Sequence, residues 1–178
     1  MPSTPLAQIP DVVDRTRDAF RSGVTRPLEW REKTLRRLRD LVVEREGDVL
    51  AALSRDLGKP AFEGWVTEVG FVVAEIEHTL THLRSWARPR KVATPVMFQP
   101  GRSEIVPEPL GVACVIAPWN YPLQLLVLPV AAAISAGNAV VAKPSEVAPA
   151  TAEVIGELLD ALGTAAVAVV QGGVEETT

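Results

Sequence analysis

Apolar residues recur at three- and four-residue spacings through the first half of the chain. Across Trp30 to Leu57, Leu35, Leu38, Val42, Val49, Leu50 and Leu53 form one stripe, while Glu32, Arg36, Arg39, Asp40 and Glu44 take the opposite face. The pattern predicts one helix, or two with a break near Gly47. Gly58 followed by Pro60 ends it, because glycine tolerates the left-handed cap and proline cannot donate a helical hydrogen bond. A second stripe of Phe62, Trp65, Val69, Val72, Ile76, Leu80 and Leu83 predicts a long helix that Pro89 stops. At ~1.5–3 kcal/mol for each buried side chain, that helix must lie against a substantial partner surface.

The period then changes. Val92, Thr94, Val96 and Phe98 alternate, Gly101 follows, and Ile105 and Val106 resume, which predicts an extended hairpin over 90–109. Prolines at 95, 100, 107 and 109 confine it to an edge. From Gly111 the rhythm is strand, helix, strand, helix, strand: Val112 to Ala117, Pro122 to Ser135, Ala139 to Ala142, Pro149 to Leu162 and Val167 to Val170. Such alternation predicts a parallel sheet with crossover helices, and the short all-apolar strands suit burial on both faces. Gly137 and Gly163 fall where helix ends favour a left-handed residue. The fold class is therefore α/β: amino-terminal helices (1–89), the hairpin (90–109), then part of a doubly wound parallel-sheet domain (110–178), a βαβαβ unit.

Composition removes several function classes. The 178 residues are 47% hydrophobic and 22% charged, which excludes disorder across the whole chain. With 18 Lys+Arg against 22 Asp+Glu, a net charge of −4 provides no diffuse positive field for phosphodiesters, so nucleic acid is not an expected partner. A single cysteine, Cys114, closes no intramolecular disulfide, and with two histidines it makes no zinc cage; a reducing, cytoplasmic setting is expected. Met1 to Asp14 lacks the basic start and apolar run of a secretory signal. The most apolar stretch, Leu123 to Ala136, is interrupted by Gln124 and Pro129 and is shorter than the ~20 residues a bilayer needs, so no membrane span is expected. His78 and His82 stand four apart, a spacing that lets two imidazoles share a metal, but they lie off the apolar stripe and read as a solvated face. Trp65 and Trp86 read as core or interface anchors.

In an open parallel sheet ligands gather at the carboxyl ends of the strands. The first predicted strand runs into Pro118-Trp119-Asn120-Tyr121-Pro122, and the second into Lys143-Pro144-Ser145-Glu146, so both should face one crevice. A Lys beside a Glu there can hold a ribose, the ammonium donating to a hydroxyl oxygen and the carboxylate accepting from vicinal hydroxyls. Asn120, between prolines, can donate an amide hydrogen to a developing oxyanion. Each segment also reads as an ordinary solvated connection; together, at neighbouring strand ends, they point to nucleotide binding. The glycine-rich fingerprint G-x-G-x-x-G is absent after the first strand, which excludes a standard pyrophosphate turn there.

Glu108-Pro-Leu-Gly-Val-Ala-Cys-Val-Ile-Ala-Pro-Trp-Asn-Tyr-Pro122 and Ala136-Gly-Asn-Ala-Val-Val-Ala-Lys-Pro-Ser-Glu146 resemble the amino-terminal part of an aldehyde dehydrogenase. Asp56-Leu-Gly-Lys-Pro60, the long helix ending near Trp86, and Val170-Gln-Gly-Gly-Val-Glu-Glu-Thr-Thr178 resemble the class 3, fatty aldehyde dehydrogenase-like members, so the likeness runs from about Val12 onward. It implies NAD(P)-dependent oxidation of an aldehyde to a carboxylic acid through a cysteine thioester, in a homodimer. Asn120 matches the family's oxyanion-stabilising asparagine. Lys143 and Glu146 match the pair that grips the adenosine ribose, with Ser145 in the same turn, and Ile116, Ala117, Pro118 and Trp119 match the lining of the cofactor cleft. Glu146 would repel a 2′-phosphate, which favours NAD, with NADP possible.

The family's Gly-Ser-Thr pyrophosphate turn, its general-base glutamate and its nucleophilic cysteine would all follow Thr178, so this chain alone is expected to be inactive. Cys114, inside the first strand, is expected to be a small buried thiol and not the nucleophile. A non-catalytic remnant or interaction module that docks on a family oligomer is the alternative reading, and a third is that these residues are part of a longer polypeptide.

Overall fold

The stripe from Trp30 to Leu57 folds as two helices. In the computed structural model, which describes residues 3–177, α1 (Ile9–Arg21) is followed by α2 (Leu28–Glu44) and α3 (Glu46–Leu57). The corner falls at Arg45, two residues before Gly47, where φ is −102° and ψ is 14°. Its guanidinium holds the bend, 2.5 Å from Asp48 Oδ2 and 2.7 Å from Glu157 Oε2. Gly58, at φ +66°, ends α3 in the left-handed cap.

The second stripe is one helical run with a defect. α4 (Ala61–Gly64) widens into a π-helical turn, Trp65–Val69, before α5 (Gly70–Trp86). Val69, Val72, Ile76 and Leu83 are buried as the spacing predicts, but Phe62 is 78% and Trp65 46% exposed. The wide turn breaks the 3.6-residue period, so residues ahead of it no longer share a face with those behind. Trp86, half-exposed, is not a core residue either: it stacks on His82 with ring centroids 5.4 Å apart.

The hairpin is shorter than its alternating pattern predicts. Only β1 (Arg90–Val92) and β2 (Ser103–Ile105) pair, antiparallel, with Arg90 opposite Ile105. Val96–Phe98 forms a 3₁₀ turn instead of continuing the strand, because Pro95 and Pro100 on either side offer no amide to a ladder.

The remainder follows the predicted alternation: β3 (Val112–Ile116), α6 (Pro122–Ser135), β4 (Ala139–Lys143), α7 (Pro149–Asp160) and β5 (Val167–Val169). The three strands are parallel in the order β3-β4-β5. On one face Val140, Ala142 and Val167 pack against α6 and α7, which are covered in turn by Leu35, Leu38, Leu53, Val72 and Ile76 of the outer helices. α6 thus lies between the sheet and a helical layer, which is why its sequence is apolar on every side. On the other face, among the described residues, α1 is the helix that packs on the sheet, through Val12 against Val141 and Val170. No helix among the described residues is long and apolar enough to cross a membrane.

Burial on both faces holds for β4, all five of whose residues are buried, but not for β3. Cys114 is exposed and Ile116 is 56% exposed. Both share the face that α1 covers only near Val112, and β3 is an edge strand, so the apolar run alone overstates its burial.

Arg31 locks the helical layer to the end of α6. Its buried guanidinium donates to the carbonyls of Thr25 (3.1 Å), Arg26 (2.8 Å) and Ser135 (3.1 Å). Gly137 lies beneath it at φ +86°, where a Cβ would sit 2.5 Å from Arg31 Nη2. Gly137→Ala should therefore destabilise the chain by about 1–3 kcal/mol through strain alone. Gly47→Ala, at a helical position with nothing within 4 Å of the added carbon, should instead stabilise it by up to ~1 kcal/mol. Urea unfolding midpoints of the two variants, moving in opposite directions from the parent, check both.

Candidate functional site

Parallel pairing of β3 with β4 sets Ile116 opposite Lys143, and the Ala117 amide donates to the Lys143 carbonyl at 3.1 Å. The two predicted turns, 117–121 and 143–148, therefore leave the same edge of the sheet side by side. Ile116 and Lys143 also share a face, the one α1 leaves open at this end.

In the second turn the Lys143 side chain is only 8% exposed, and its Nζ lies 2.6 Å from Glu146 Oε2. The Glu146 carboxyl, 42% exposed, faces outward from this contact. Its ammonium partner, with help from the Glu146 backbone amide, holds that carboxyl below the ordinary carboxylate range. Ser145 is buried and its Oγ accepts from the Val147 amide at 3.3 Å, so it shapes the turn from within. Past β5 the chain returns to the same edge: a Cβ on Gly173 would meet Glu146 Cγ at 3.7 Å.

In the first turn Ala117 is buried while Pro118, Trp119 and Asn120 are exposed. The exposed Asn120 amide makes no hydrogen bond to any described residue. It lies between two anchored ends.

What anchors those ends is a feature that sequence reasoning did not assign. α6 and α7 begin alike: proline at the first helical position, then two amides taken by one carboxylate from the helical layer. Glu68, fully buried, accepts through Oε2 from Leu123 N (2.9 Å) and Gln124 N (3.1 Å). Asp56 accepts from Ala150 N (3.2 Å), Thr151 N (2.7 Å) and Thr151 Oγ1 (2.8 Å). Lys59 completes the set, 2.6 Å from Glu68 Oε1 and 4.0 Å above the centroid of the Tyr121 ring. Proline at N1 removes one orphan donor and leaves the next two to a single carboxylate. A signal was present: Pro122 and Pro149 mark both helix starts, and Glu68 is an acid in the middle of an apolar stripe.

The two histidines lie on the wet side of α5, as their place off the apolar stripe predicts. His78 is exposed and His82 half-buried, their rings 4.2 Å apart, with His82 Nδ1 2.9 Å from the His78 carbonyl. Among the described residues no three His, Cys, Asp or Glu side chains gather as metal ligands. A surface cavity of about 720 Å³ lies between Trp86 and the hairpin residues Arg90, Ile105 and Pro107, away from both turns.

A turn carrying an unengaged amide thus lies beside a buried lysine paired to an outward carboxylate, at the carboxyl edge of a parallel sheet. The chain belongs to the aldehyde dehydrogenase family, whose pattern it matches over residues 1–178. It is 45% identical over 173 residues to aldehyde dehydrogenase family 3 member H1 of Arabidopsis thaliana, covering 97% of this chain and 36% of that protein. It is 39% identical over 174 residues to the dimeric NADP-preferring aldehyde dehydrogenase of Canis lupus familiaris, covering 97% of this chain and 38% of that one. Among solved structures, substrate-bound AldH of Staphylococcus aureus superposes with a TM-score of 0.93 at 36% identity, over 95% of this chain and 37% of that one. The chain thus spans little more than a third of the length of these relatives.

The exposure of Cys114 is directly measurable. One equivalent of an aromatic disulfide reagent should modify the native chain without denaturant; protection until unfolding would contradict the open face of β3.

Proposed function

We propose that this chain is the amino-terminal, cofactor-side portion of an NAD(P)-dependent enzyme that oxidises an aldehyde to a carboxylic acid through a cysteine thioester. The observation that carries the reading is the Lys143–Glu146 pair, 2.6 Å apart at the carboxyl end of β4, beside the free Asn120 amide at the end of β3. The family uses NAD or NADP, and the residues present fit its adenosine end. Lys143 offers an ammonium that donates to a ribose hydroxyl, Glu146 accepts from vicinal hydroxyls, and Ser145 holds the turn between them. Ile116, Ala117, Pro118 and Trp119 form the wall beside that ribose, largely through backbone and van der Waals contact. When bound, the cofactor supplies the two-electron oxidant.

The same residues do not offer a pyrophosphate cradle. The N-termini of α6 and α7, where a dinucleotide phosphate would ordinarily sit, already hold the carboxylates of Glu68 and Asp56. A phosphate there would meet like charge, so the pyrophosphate must be held by other parts of the enzyme. This agrees with the absence of a glycine-rich turn after β3.

Asn120 donates to the oxygen of the tetrahedral adduct formed when the enzyme's nucleophile adds to the aldehyde. Cys114 is not that nucleophile: it lies within β3 opposite Val141, and among the described residues no His, Lys or Arg side chain hydrogen-bonds its thiol. Glu146 stays charged at neutral pH, because its partner lowers its titration, and a charged carboxylate beside the ribose disfavours a 2′-phosphate. NAD is therefore the preferred cofactor of this reading, in a cytoplasmic setting.

A second reading, in which the chain docks on a partner, is favoured by the hairpin tip, where Val96 is 88%, Met97 83% and Phe98 64% exposed. The partner we infer is a second family subunit, as in a homodimer. Sedimentation of the purified chain as a stable monomer at all concentrations would remove this reading.

In the complete enzyme Asn120→Ala should slow thioester formation by ~2.7–4 kcal/mol of lost transition-state stabilisation, with cofactor affinity unchanged. Single-turnover kinetics measure it, and an unaltered acylation rate refutes the role. Lys143→Ala should weaken NAD binding in titration calorimetry and leave the rate at saturation nearly intact. The lowered titration of Glu146 sets the sign with pH: the paired carboxylate persists as pH falls past the ordinary ~4.3 of a glutamate and is lost only below that. NAD affinity that already falls between pH 7 and 5 would contradict the pairing.

A further inference from the structure

The turn that carries Asn120 is fixed at both ends and has no support in the middle. At its start the Ala117 amide is bonded to β4 at 3.1 Å. At its end the Leu123 and Gln124 amides close on Glu68. Pro118 and Pro122 fix φ inside those limits, and Tyr121, the residue next to Asn120, has its ring under the Lys59 ammonium at 4.0 Å. The position of the Asn120 amide is thus set by what holds the ends, and the second end is held by Lys59 and Glu68, which make no hydrogen bond or ion pair to the proposed cofactor residues.

We propose that Lys59 and Glu68 are a positioning pair for the Asn120 amide, acting on oxyanion stabilisation through the first turn of α6. The inference rests on the role given to Asn120 above. Three observations converge on it. Glu68 is fully buried and uses both oxygens, one on the Lys59 ammonium and one on the two α6 amides, so the carboxylate is fixed from opposite sides. It sits in the π-helical turn Trp65–Val69, a local defect that shifts the register of the helix and that recurs at functional sites. Lys59, its side chain 10% exposed, touches both the buried carboxylate and the aromatic ring adjoining Asn120, so one cation couples helix start and turn. A helix cap needed only for stability would require no second contact to the turn.

The test is a double-mutant cycle in the complete dehydrogenase. Glu68→Gln keeps an acceptor for the two amides but removes the charge that fixes Lys59; Lys59→Met keeps the stem and removes the ammonium. Each should slow single-turnover thioester formation by about 10- to 100-fold, the cost of displacing a reacting group by about an ångström, while the dissociation constant for NAD stays within about twofold. In an Asn120→Ala background the same changes should slow the reaction by less than about twofold, because the group they position is gone. Lys59→Arg should recover most of the loss seen in Lys59→Met.

Equal losses in both backgrounds would make the pair a stability element and overturn the proposal, as would an unaltered rate in both variants while Asn120→Ala is slow. If Asn120→Ala itself reacts at the parent rate, the role of Asn120 fails first and the positioning pair with it. If neither Glu68→Gln nor Lys59→Met folds, the pair serves folding alone and the proposal is likewise overturned.

Discussion

Two carboxylates reaching from the helical layer into the first turns of the crossover helices fix this structure. Asp56 takes the opening amides of α7 and Glu68 those of α6. A helix N-terminus leaves unpaired donors and a partial positive charge, and an acidic side chain answers both. Because each carboxylate comes from a different part of the chain, each cap is also a tertiary tether. It sets where the helix starts, and so where the preceding turn leaves the sheet. If the Glu68–Lys59 pair were broken, the remaining buried charge would cost about 3–5 kcal/mol, a large share of the stability of a domain this size.

This arrangement has a chemical consequence. In many nucleotide-binding sheets the crossover-helix N-terminus faces an open crevice and takes a phosphate. Here both such positions are spent on internal carboxylates, and what the two turns themselves present is the free amide of Asn120 and Lys143 neutralised by Glu146. In the reading proposed above, turns of that kind suit hydroxyls and a developing oxyanion better than a phosphate. The short motif Asp56-Leu-Gly-Lys-Pro60 concentrates the device, because the left-handed turn at Gly58 separates the residue that caps α7 from the one that braces the cap of α6.

The sequence makes the elements legible where one period dominates. Leu35, Leu38 and Val42, or Val72, Ile76 and Leu83, lie on the faces their spacing predicts, and every strand and helix after Gly111 occurs in order with bounds close to those expected. It fails where a local defect or an absent neighbour decides. Phe62 and Trp65 left the core because a π-helical turn reset the phase, and no residue pattern announces such a turn. Cys114 is exposed because β3 is an edge strand and α1 too short to cover it, whereas an apolar run records only what the strand tolerates. The Lys143, Ser145 and Glu146 turn and the Asn120 turn were visible by residue type and position. For the carboxylates that hold the helix starts the sequence offered only the helix-start prolines and an acid in an apolar stripe, and not the pairing, since their partners lie more than fifty residues away and are backbone amides.

The rigidity of the Asn120 turn bears on why an amide would be placed there at all. A side-chain donor stabilises a transition state only to the extent that it is already aimed at the developing charge, because reorganisation at the moment of reaction consumes the gain. A surface loop could present the same amide, but it would do so from many conformations. Two prolines, a strand-end hydrogen bond, a capped helix start and a cation over the neighbouring ring remove most of those conformations before any ligand arrives. The cost of ordering is met during folding, largely through the burial of α6 between the sheet and the outer helices. Exposure of Asn120 is then no sign of looseness: the segments on either side of it are held, and its own polar groups face outward.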